Sequence, residues 1–143
     1  MPEEPMKVDE VIELINRALP LQMRSVAMYT WLAGVGTGIE FQAVGRELEQ
    51  FGRLDLDDAR RLIEKLVALG GKPTTKAAPW DPISPTKEGL QSVIDHETEA
   101  LEALRKVIPA TGQEARSEAL EHLLEHILMR KQEQVDFLQR VLR

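Results

Sequence analysis

Four long helical segments and the links between them limit the possible folds of this chain. Apolar residues recur every three or four positions over residues 9–33, 38–69, 85–108 and 112–142, which predicts four α-helices. The first and third links are short, so we expect each pair of flanking helices to form an antiparallel hairpin. The second link, residues 72–83, is twelve residues long and contains three prolines.

This long link is able to cross a whole helical bundle. Twelve extended residues span roughly 40 Å at about 3.3 Å each. An α-helix of about 25 to 30 residues has a similar length. We therefore expect the second and third helices to run parallel. The sequence predicts an all-α four-helix bundle, a single domain over residues 1–143, with two antiparallel hairpins joined by a long crossover.

Local signals mark the expected helix ends. Three pairs of residues have the spacing of N-terminal caps: Thr37-x-x-Glu40, Thr111-x-x-Glu114 and Ser84-Pro85. Pro20 lies inside the first predicted helix, where it removes one backbone hydrogen bond. We therefore expect a kink near the middle of that helix.

Composition excludes several classes of function. Lys and Arg number 18 against 24 Asp and Glu, and the resulting charge of −6 argues against a nucleic-acid partner. The absence of cysteine excludes disulfides, thiolate metal sites and cysteine nucleophiles. No apolar run approaches the length of about 18 residues that spans a membrane. Because the acidic segment 1–5 also lacks the pattern of a signal peptide, we expect a cytoplasmic protein with no membrane partner.

Polar residues interrupt the apolar stripe of every predicted helix at about the same depth. At about 100° per residue, six of them point inward. They are Gln22, Asp55, Asp58, Glu97, Lys131 and Gln134. Buried polar groups are costly unless they satisfy one another or hold a ligand. We therefore predict a polar layer at the centre of the bundle, which the hydroxyl of Tyr29 is expected to join.

Three segments carry a family resemblance: LINRAL at residues 14–19 together with Tyr29, LIEKL-x-x-LGG-x-P at 62–73, and VDFL at 135–138. Through them the sequence resembles the bacterioferritin branch of the ferritin-like superfamily over nearly the whole chain. Members of that family bind two irons between a Glu on the first helix, a Glu on the third, and Glu-x-x-His on the second and fourth. The irons react with dioxygen or peroxide, and the product is often stored as ferric mineral.

The resemblance also implies that most of these metal ligands have been replaced. The corresponding positions are, in chain order, Gln22, Asp55-x-x-Asp58, Glu97 and Lys131-x-x-Gln134. No Glu-x-x-His occurs anywhere in the chain. Leu56 stands at the position that resembles the haem-ligating methionine of the family, which argues against haem. We therefore expect no cofactor.

The replaced residues are a poor set of ligands for two irons. Two divalent cations need about four carboxylates, with imidazoles to set the geometry. This layer offers three carboxylates, no histidine, and an ammonium group that repels metal ions. We expect Lys131 to pair with one or more of Asp55, Asp58 and Glu97. The two glutamines are expected to complete the hydrogen bonding as neutral groups.

Three hypotheses for the function follow. The first is a non-catalytic structural or interaction protein without ferroxidase activity. We expect it to assemble as a homodimer or a higher homo-oligomer, because apolar residues such as Leu56 flank the inward stripes. The second is binding or storage of iron or another metal, either in an oligomeric shell or as a single divalent ion held by Asp55, Asp58 and Glu97. The third is an unrelated enzyme that uses Lys131 or an acid as a proton carrier.

Two histidines form a separate candidate site. His122 and His126 lie four residues apart on the fourth predicted helix, with Glu118 and Glu125 nearby, and this spacing is able to bind zinc or copper. Their angular position lies outside the apolar stripe. We therefore interpret them as ordinary surface histidines.

Overall fold

The structure is a computed structural model that describes residues 4–143. The helices are α1 (Val8–Val35), α2 (Ile39–Ala68), α3 (Lys87–Arg105), a short 3-10 helix (Ile108–Ala110) and α4 (Ala115–Leu142). No strand occurs within the described residues, so the predicted all-α class is confirmed. The first three residues of the acidic N-terminal segment lie outside the described part of the chain.

The link between α2 and α3 runs along α1. The side chain of Asn16 donates to the carbonyl of Lys72 at 3.1 Å and accepts from the amide of Thr74 at 2.9 Å. Further along the link, the Trp31 indole donates to the carbonyl of Ile83 at 2.9 Å. These contacts follow the same order along α1 and along the link. The link therefore returns the chain to the end of the bundle where α2 begins, and α2 and α3 run parallel, as predicted.

Helix α1 continues without interruption through Pro20. The carbonyl of Pro20 accepts a hydrogen bond from the amide of Ala78 in the link, at 2.9 Å. The proline therefore lies on the face of α1 that the crossover covers.

The predicted caps of α2 and α3 are wrong. The residue before α2 is Gly38 rather than Thr37, and its φ of +94° is a conformation that glycine adopts without strain. The N-cap of α3 is Thr86 rather than Ser84, and the Thr86 hydroxyl accepts from the amide of Gly89 at 3.2 Å. The helix consequently begins at Lys87, two residues later than predicted.

The connection between α3 and α4 also differs from the prediction. Helix α3 ends at Arg105 instead of residue 108, because the chain turns into the 3-10 helix that contains Pro109. The capping box at Thr111 does not form. The Thr111 hydroxyl donates to the carbonyl of Ile108 at 2.8 Å, and Glu114 accepts from the amide of Met6 at 3.1 Å. Because both side chains are engaged elsewhere, α4 begins three residues later than predicted, at Ala115.

The apolar core consists of two clusters, one in each half of the bundle. The first cluster includes Val11, Ile15, Leu19, Leu62, Leu66, Leu104, Leu120, Leu124 and Ile127. The second includes Met28, Leu32, Leu48, Phe51, Val93, Val135 and Leu138. On every helix the polar positions fall between the two clusters, so the core is divided at mid-height.

Within residues 4–143, none of the helices combines the length and the apolar character needed to cross a membrane. The cytoplasmic location stays a prediction from the sequence.

The contacts of Asn16 predict how firmly the crossover is held. Replacing Asn16 with alanine is expected to lower the free energy of unfolding by about 1–2 kcal/mol, because two hydrogen bonds to the link are lost. Urea unfolding measures this change, and amide exchange over residues 72–78 is expected to become faster. Asn16→Asp keeps the acceptor for Thr74 but loses the donor to Lys72, so we expect it to lower the free energy of unfolding by less than Asn16→Ala does. Unchanged exchange in the alanine variant would contradict this account.

Candidate functional site

The structure buries all six inward-pointing polar residues between the two apolar clusters. Their exposed fractions are 0% for Gln22, Asp55, Glu97 and Lys131, and 1% for Asp58 and Gln134. Each helix of the bundle contributes at least one of them. The burial follows from the helical repeat, because each lies three or four residues from core positions on the same face.

Lys131 is the centre of this layer. Its Nζ lies 3.1 Å and 3.3 Å from the two carboxylate oxygens of Glu97, 3.2 Å from the Ser25 hydroxyl, and 3.5 Å from Asp55 Oδ2. Burial lowers the pKa of Lys131, but the charges of Glu97 and Asp55 outweigh that effect, and the pKa is raised above its ordinary value. Lys131 is therefore an ammonium ion, which donates hydrogen bonds to Ser25 on α1 and Glu97 on α3 and forms a longer ion pair with Asp55 on α2.

Glu97 receives two further hydrogen bonds from α1. The hydroxyl of Ser25 donates to one of its carboxylate oxygens, and the hydroxyl of Tyr29 donates to the other at 3.2 Å. Burial raises the pKa of Tyr29 well above its ordinary value, and the charges of Glu97 and Asp55 raise it further. Tyr29 therefore acts as a neutral donor, and the Glu97 carboxylate is held by donors from two helices.

Asp55 is held by both glutamines. Gln134 donates to Asp55 Oδ1 at 3.0 Å, and Gln22 donates to the backbone carbonyl of Asp55 at 3.0 Å. Burial raises the pKa of Asp55 to about 7, with Lys131 opposing the rise and Glu97 adding to it. Asp55 therefore keeps its proton to a higher pH than an exposed aspartate does.

Hydrogen-bond acceptors outnumber donors around Asp55. Among the described residues, three buried oxygens of this layer have no hydrogen-bond donor: Gln22 Oε1, Gln134 Oε1 and Asp55 Oδ2. An unsatisfied buried acceptor is costly. A proton on Asp55 adds a donor where acceptors are in excess, which is consistent with the raised pKa.

Asp58 does not face Lys131. Its two oxygens accept from the guanidinium of Arg130, with Nε at 2.9 Å from Oδ2 and Nη2 on Oδ1. The side chain of Asp58 is 2% exposed and that of Arg130 is 25% exposed, so the pair closes one edge of the layer. The hydrogen bond to Asp58 raises the pKa of Arg130 further. This bidentate geometry is the strongest form of an Arg–carboxylate pair.

Reasoning from the sequence missed two residues of this site. Ser25 lies three residues after Gln22 and four before Tyr29, so helical spacing alone could have identified it. Arg130 lies about 100° away from Lys131 on the α4 surface and reaches Asp58 only through its long side chain. No helical repeat could have identified that contact.

The histidines lie away from the layer. His122 and His126 are exposed on α4, and His122 Nε2 lies 3.7 Å from Glu118 Oε1. His96 is half-buried on α3, where burial lowers its pKa and the charge of Arg24 lowers it further.

Comparison with known proteins gives the class of protein that this fold defines. Residues 12–143 match the family model of the ferritin-like domain, and the chain belongs to that family. The structure is similar to the crystal structure of a ferritin-like, diiron-carboxylate protein from Bacillus anthracis str. Ames. The two share 25% sequence identity, with 95% of this chain and 97% of that chain covered and a TM-score of 0.86. No curated protein matches the sequence.

The carboxylates of this layer lie next to side-chain cations. The ammonium of Lys131 lies 3.1 Å from Glu97 and 3.5 Å from Asp55, and it occupies the space between these carboxylates. Both oxygens of Asp58 accept from Arg130. Of the three ligands considered for a single ion, Asp55 and Glu97 therefore face Lys131, and Asp58 faces Arg130.

The raised pKa of Asp55 predicts how stability depends on pH. Asp55 binds its proton more tightly in the folded chain, with a pKa of about 7 against 3.8 when exposed. The stability that the folded chain gains from this tighter proton binding is therefore fully present below about pH 4 and is lost as the pH rises through about 7. At 1.36 kcal/mol per pKa unit, the loss is at most roughly 4 kcal/mol.

Urea unfolding between pH 5 and pH 8 measures this dependence. Asp55→Asn is expected to flatten the decline, because the asparagine stays neutral throughout. Asp136→Asn, at an exposed position of α4, serves as the matched control and is expected to keep the wild-type slope. Equal slopes for the wild type and Asp55→Asn would show that Asp55 does not titrate in this range.

Proposed function

We propose that this chain is a bacterioferritin-like protein in which a network of ammonium and carboxylate groups has replaced the diiron centre. Its role is structural or interactive, without ferroxidase activity. The observation that carries this proposal is the position of Lys131, which is fully buried and within 3.5 Å of both Asp55 and Glu97. A fixed cation there supplies the positive charge that metal ions supply in a diiron-carboxylate protein.

The energetics of buried charge support this proposal. Carboxylates in a dry core repel one another unless a cation compensates for them, and removing one partner of a buried pair costs about 3–5 kcal/mol. Lys131 compensates for Glu97 and Asp55, and Arg130 compensates for Asp58. The bundle therefore has its compensating charges without a metal ion.

The exposure of the layer argues against an enzyme that uses Lys131 as a proton carrier. Lys131, Asp55 and Glu97 each have an exposed fraction of 0%. A substrate could reach them only after the helices separate, because no solvent-accessible atom of the three is available in the closed bundle.

Iron loading tests the proposal. The purified protein is incubated with ferrous iron in air, free metal is removed, and bound iron per chain is measured. The Bacillus anthracis diiron-carboxylate protein is treated in parallel as the positive control. We expect no tightly held iron at the bundle centre of this chain.

The variant Lys131→Glu sharpens this test. It replaces the ammonium with a fourth carboxylate, so we expect it to be strongly destabilised without metal and to regain stability when divalent metal is added. To exclude metal bound at the surface histidines, both chains carry His122→Gln and His126→Gln, and the melting temperature of the chain that keeps Lys131 is expected to stay unchanged under the same additions. The proposal would be overturned in favour of metal binding if the wild type held one or two irons per chain and variants with Asp55 or Glu97 replaced did not. Hundreds of irons per assembly would indicate a storage shell.

We also propose that the protein forms a homodimer through the outer face of α1 and α2. An apolar groove of about 640 Å³ on this face is lined by Met23, Arg53, Leu56, Asp57, Arg60 and Ile63. Leu56 is 54% exposed, an unusual position for a large apolar side chain. Arg53, Arg60 and Asp57 surround this groove. A second copy related by a two-fold axis is therefore able to pair opposite charges across the interface.

Replacing Leu56 tests the dimer. Leu56→Glu is expected to shift the protein from dimer to monomer, because two carboxylates would be buried near the symmetry axis. Light scattering after size-exclusion chromatography measures the mass. Val67→Glu is the matched control, since Val67 is 61% exposed on α2 but does not line this groove, and it is expected to remain dimeric. A monomeric wild type, or a dimeric Leu56→Glu, would contradict the proposed interface.

A further inference from the structure

The outer face of α4 carries a pair of histidines that the central layer does not involve. His122 and His126 are separated by one helical turn, and both are exposed. The His122 side chain is 62% exposed, and its neighbour Glu118 is 83% exposed at 3.7 Å from the imidazole. Both imidazoles are therefore open to solvent on a regular helix.

The spacing of the pair suits a shared metal ion. Residues four apart on an α-helix are displaced by about 6 Å along the axis and about 40° around it, so their side chains are neighbours. Two histidines at this spacing on one helix face bind zinc in the H-E-x-x-H motif. Metal–nitrogen distances of about 2.0–2.1 Å require both rings to turn toward one point, and exposed rings are free to do so.

The charges around the pair favour a cation. Residues 118–126 contain three glutamates and no lysine or arginine. Glu118 lies one turn before His122, and Glu125 lies one position before His126. The nearest cation further along α4 is Arg130, which is paired with Asp58. The α4 residues that flank the pair are therefore acidic, and Arg105, which lines the groove next to Glu125, is paired with Glu102.

We propose that His122 and His126 form a binding site for one late first-row transition-metal ion, such as Cu²⁺, Ni²⁺ or Zn²⁺. Neutral imidazole nitrogens are preferred ligands for these ions, and Cu²⁺ is expected to bind most tightly. Water completes the coordination. This is a binding site on the surface of the folded chain, separate from the central layer and from the proposed dimer face.

Calorimetric titration of the purified protein with CuCl₂, ZnCl₂ and MgCl₂ tests the proposal. We expect one Cu²⁺ or Zn²⁺ per chain, with Cu²⁺ the tighter, and no comparable binding of Mg²⁺, which prefers oxygen ligands. Binding is expected to be weaker at pH 5 than at pH 7.5, because the metal competes with protons for the imidazoles. Equal affinity for Mg²⁺ would overturn the proposal, since glutamates alone would then account for the binding.

Three variants identify the ligands. His122→Gln and His126→Gln are each expected to weaken Cu²⁺ binding by about tenfold or more, which corresponds to roughly 1.4 kcal/mol. His96→Gln, which removes the only other histidine of the chain, is expected to have no effect. Unchanged affinity in the first two variants would overturn the assignment.

A change of spacing tests the geometry. The double variant Glu121→His/His122→Gln keeps the number of histidines but places the pair five residues apart, about 140° around the helix. We expect its affinity to equal that of His122→Gln alone. If this double variant bound Cu²⁺ as tightly as the wild type does, binding would not require an ion shared between histidines four residues apart.

The His122→Gln/His126→Gln variant also separates this site from the bundle centre. Iron that persists in this double variant but disappears when Asp55 or Glu97 is replaced belongs to the centre. Metal that disappears in the double variant belongs to the α4 surface. The two proposals are therefore able to fail independently.

Discussion

The structure depends on the ammonium of Lys131 at the centre of the bundle. Its partners come from each of the other helices: Ser25 on α1, Asp55 on α2 and Glu97 on α3. An apolar cluster lies on either side of this contact. The two clusters can pack on the same four helices only if the charged groups between them satisfy one another, because unpaired charges in a dry core cost several kcal/mol each.

A ferritin-like bundle with carboxylates at its centre requires a source of positive charge. Metal ions supply it in a diiron-carboxylate protein, and in this chain we infer that Lys131 and Arg130 supply it as side chains. The difference matters physically, because a covalently attached cation is present as soon as the chain folds. A metal-dependent bundle instead gains stability with metal concentration. The proposed loss of iron chemistry and a metal-independent fold thus follow from the same substitution.

Two further surfaces of the molecule have proposed roles. We propose that the apolar groove around Leu56 on α1 and α2 faces a second copy of the chain, and that the histidines of α4 remain open to solvent. In the proposed dimer, the exposed side chain of Leu56 contacts the second copy.

The four helices, the long crossover and the inward direction of the six polar residues could be predicted from the sequence. All of these depend on regular spacing along one chain. Only the folded structure shows that Lys131 pairs with Glu97 and Asp55, that Arg130 holds Asp58, and that Thr86 rather than Ser84 caps α3. Those outcomes depend on where side chains and termini from distant segments meet. Glu114, for example, accepts from the amide of Met6 rather than capping its own helix, and no local pattern records that meeting.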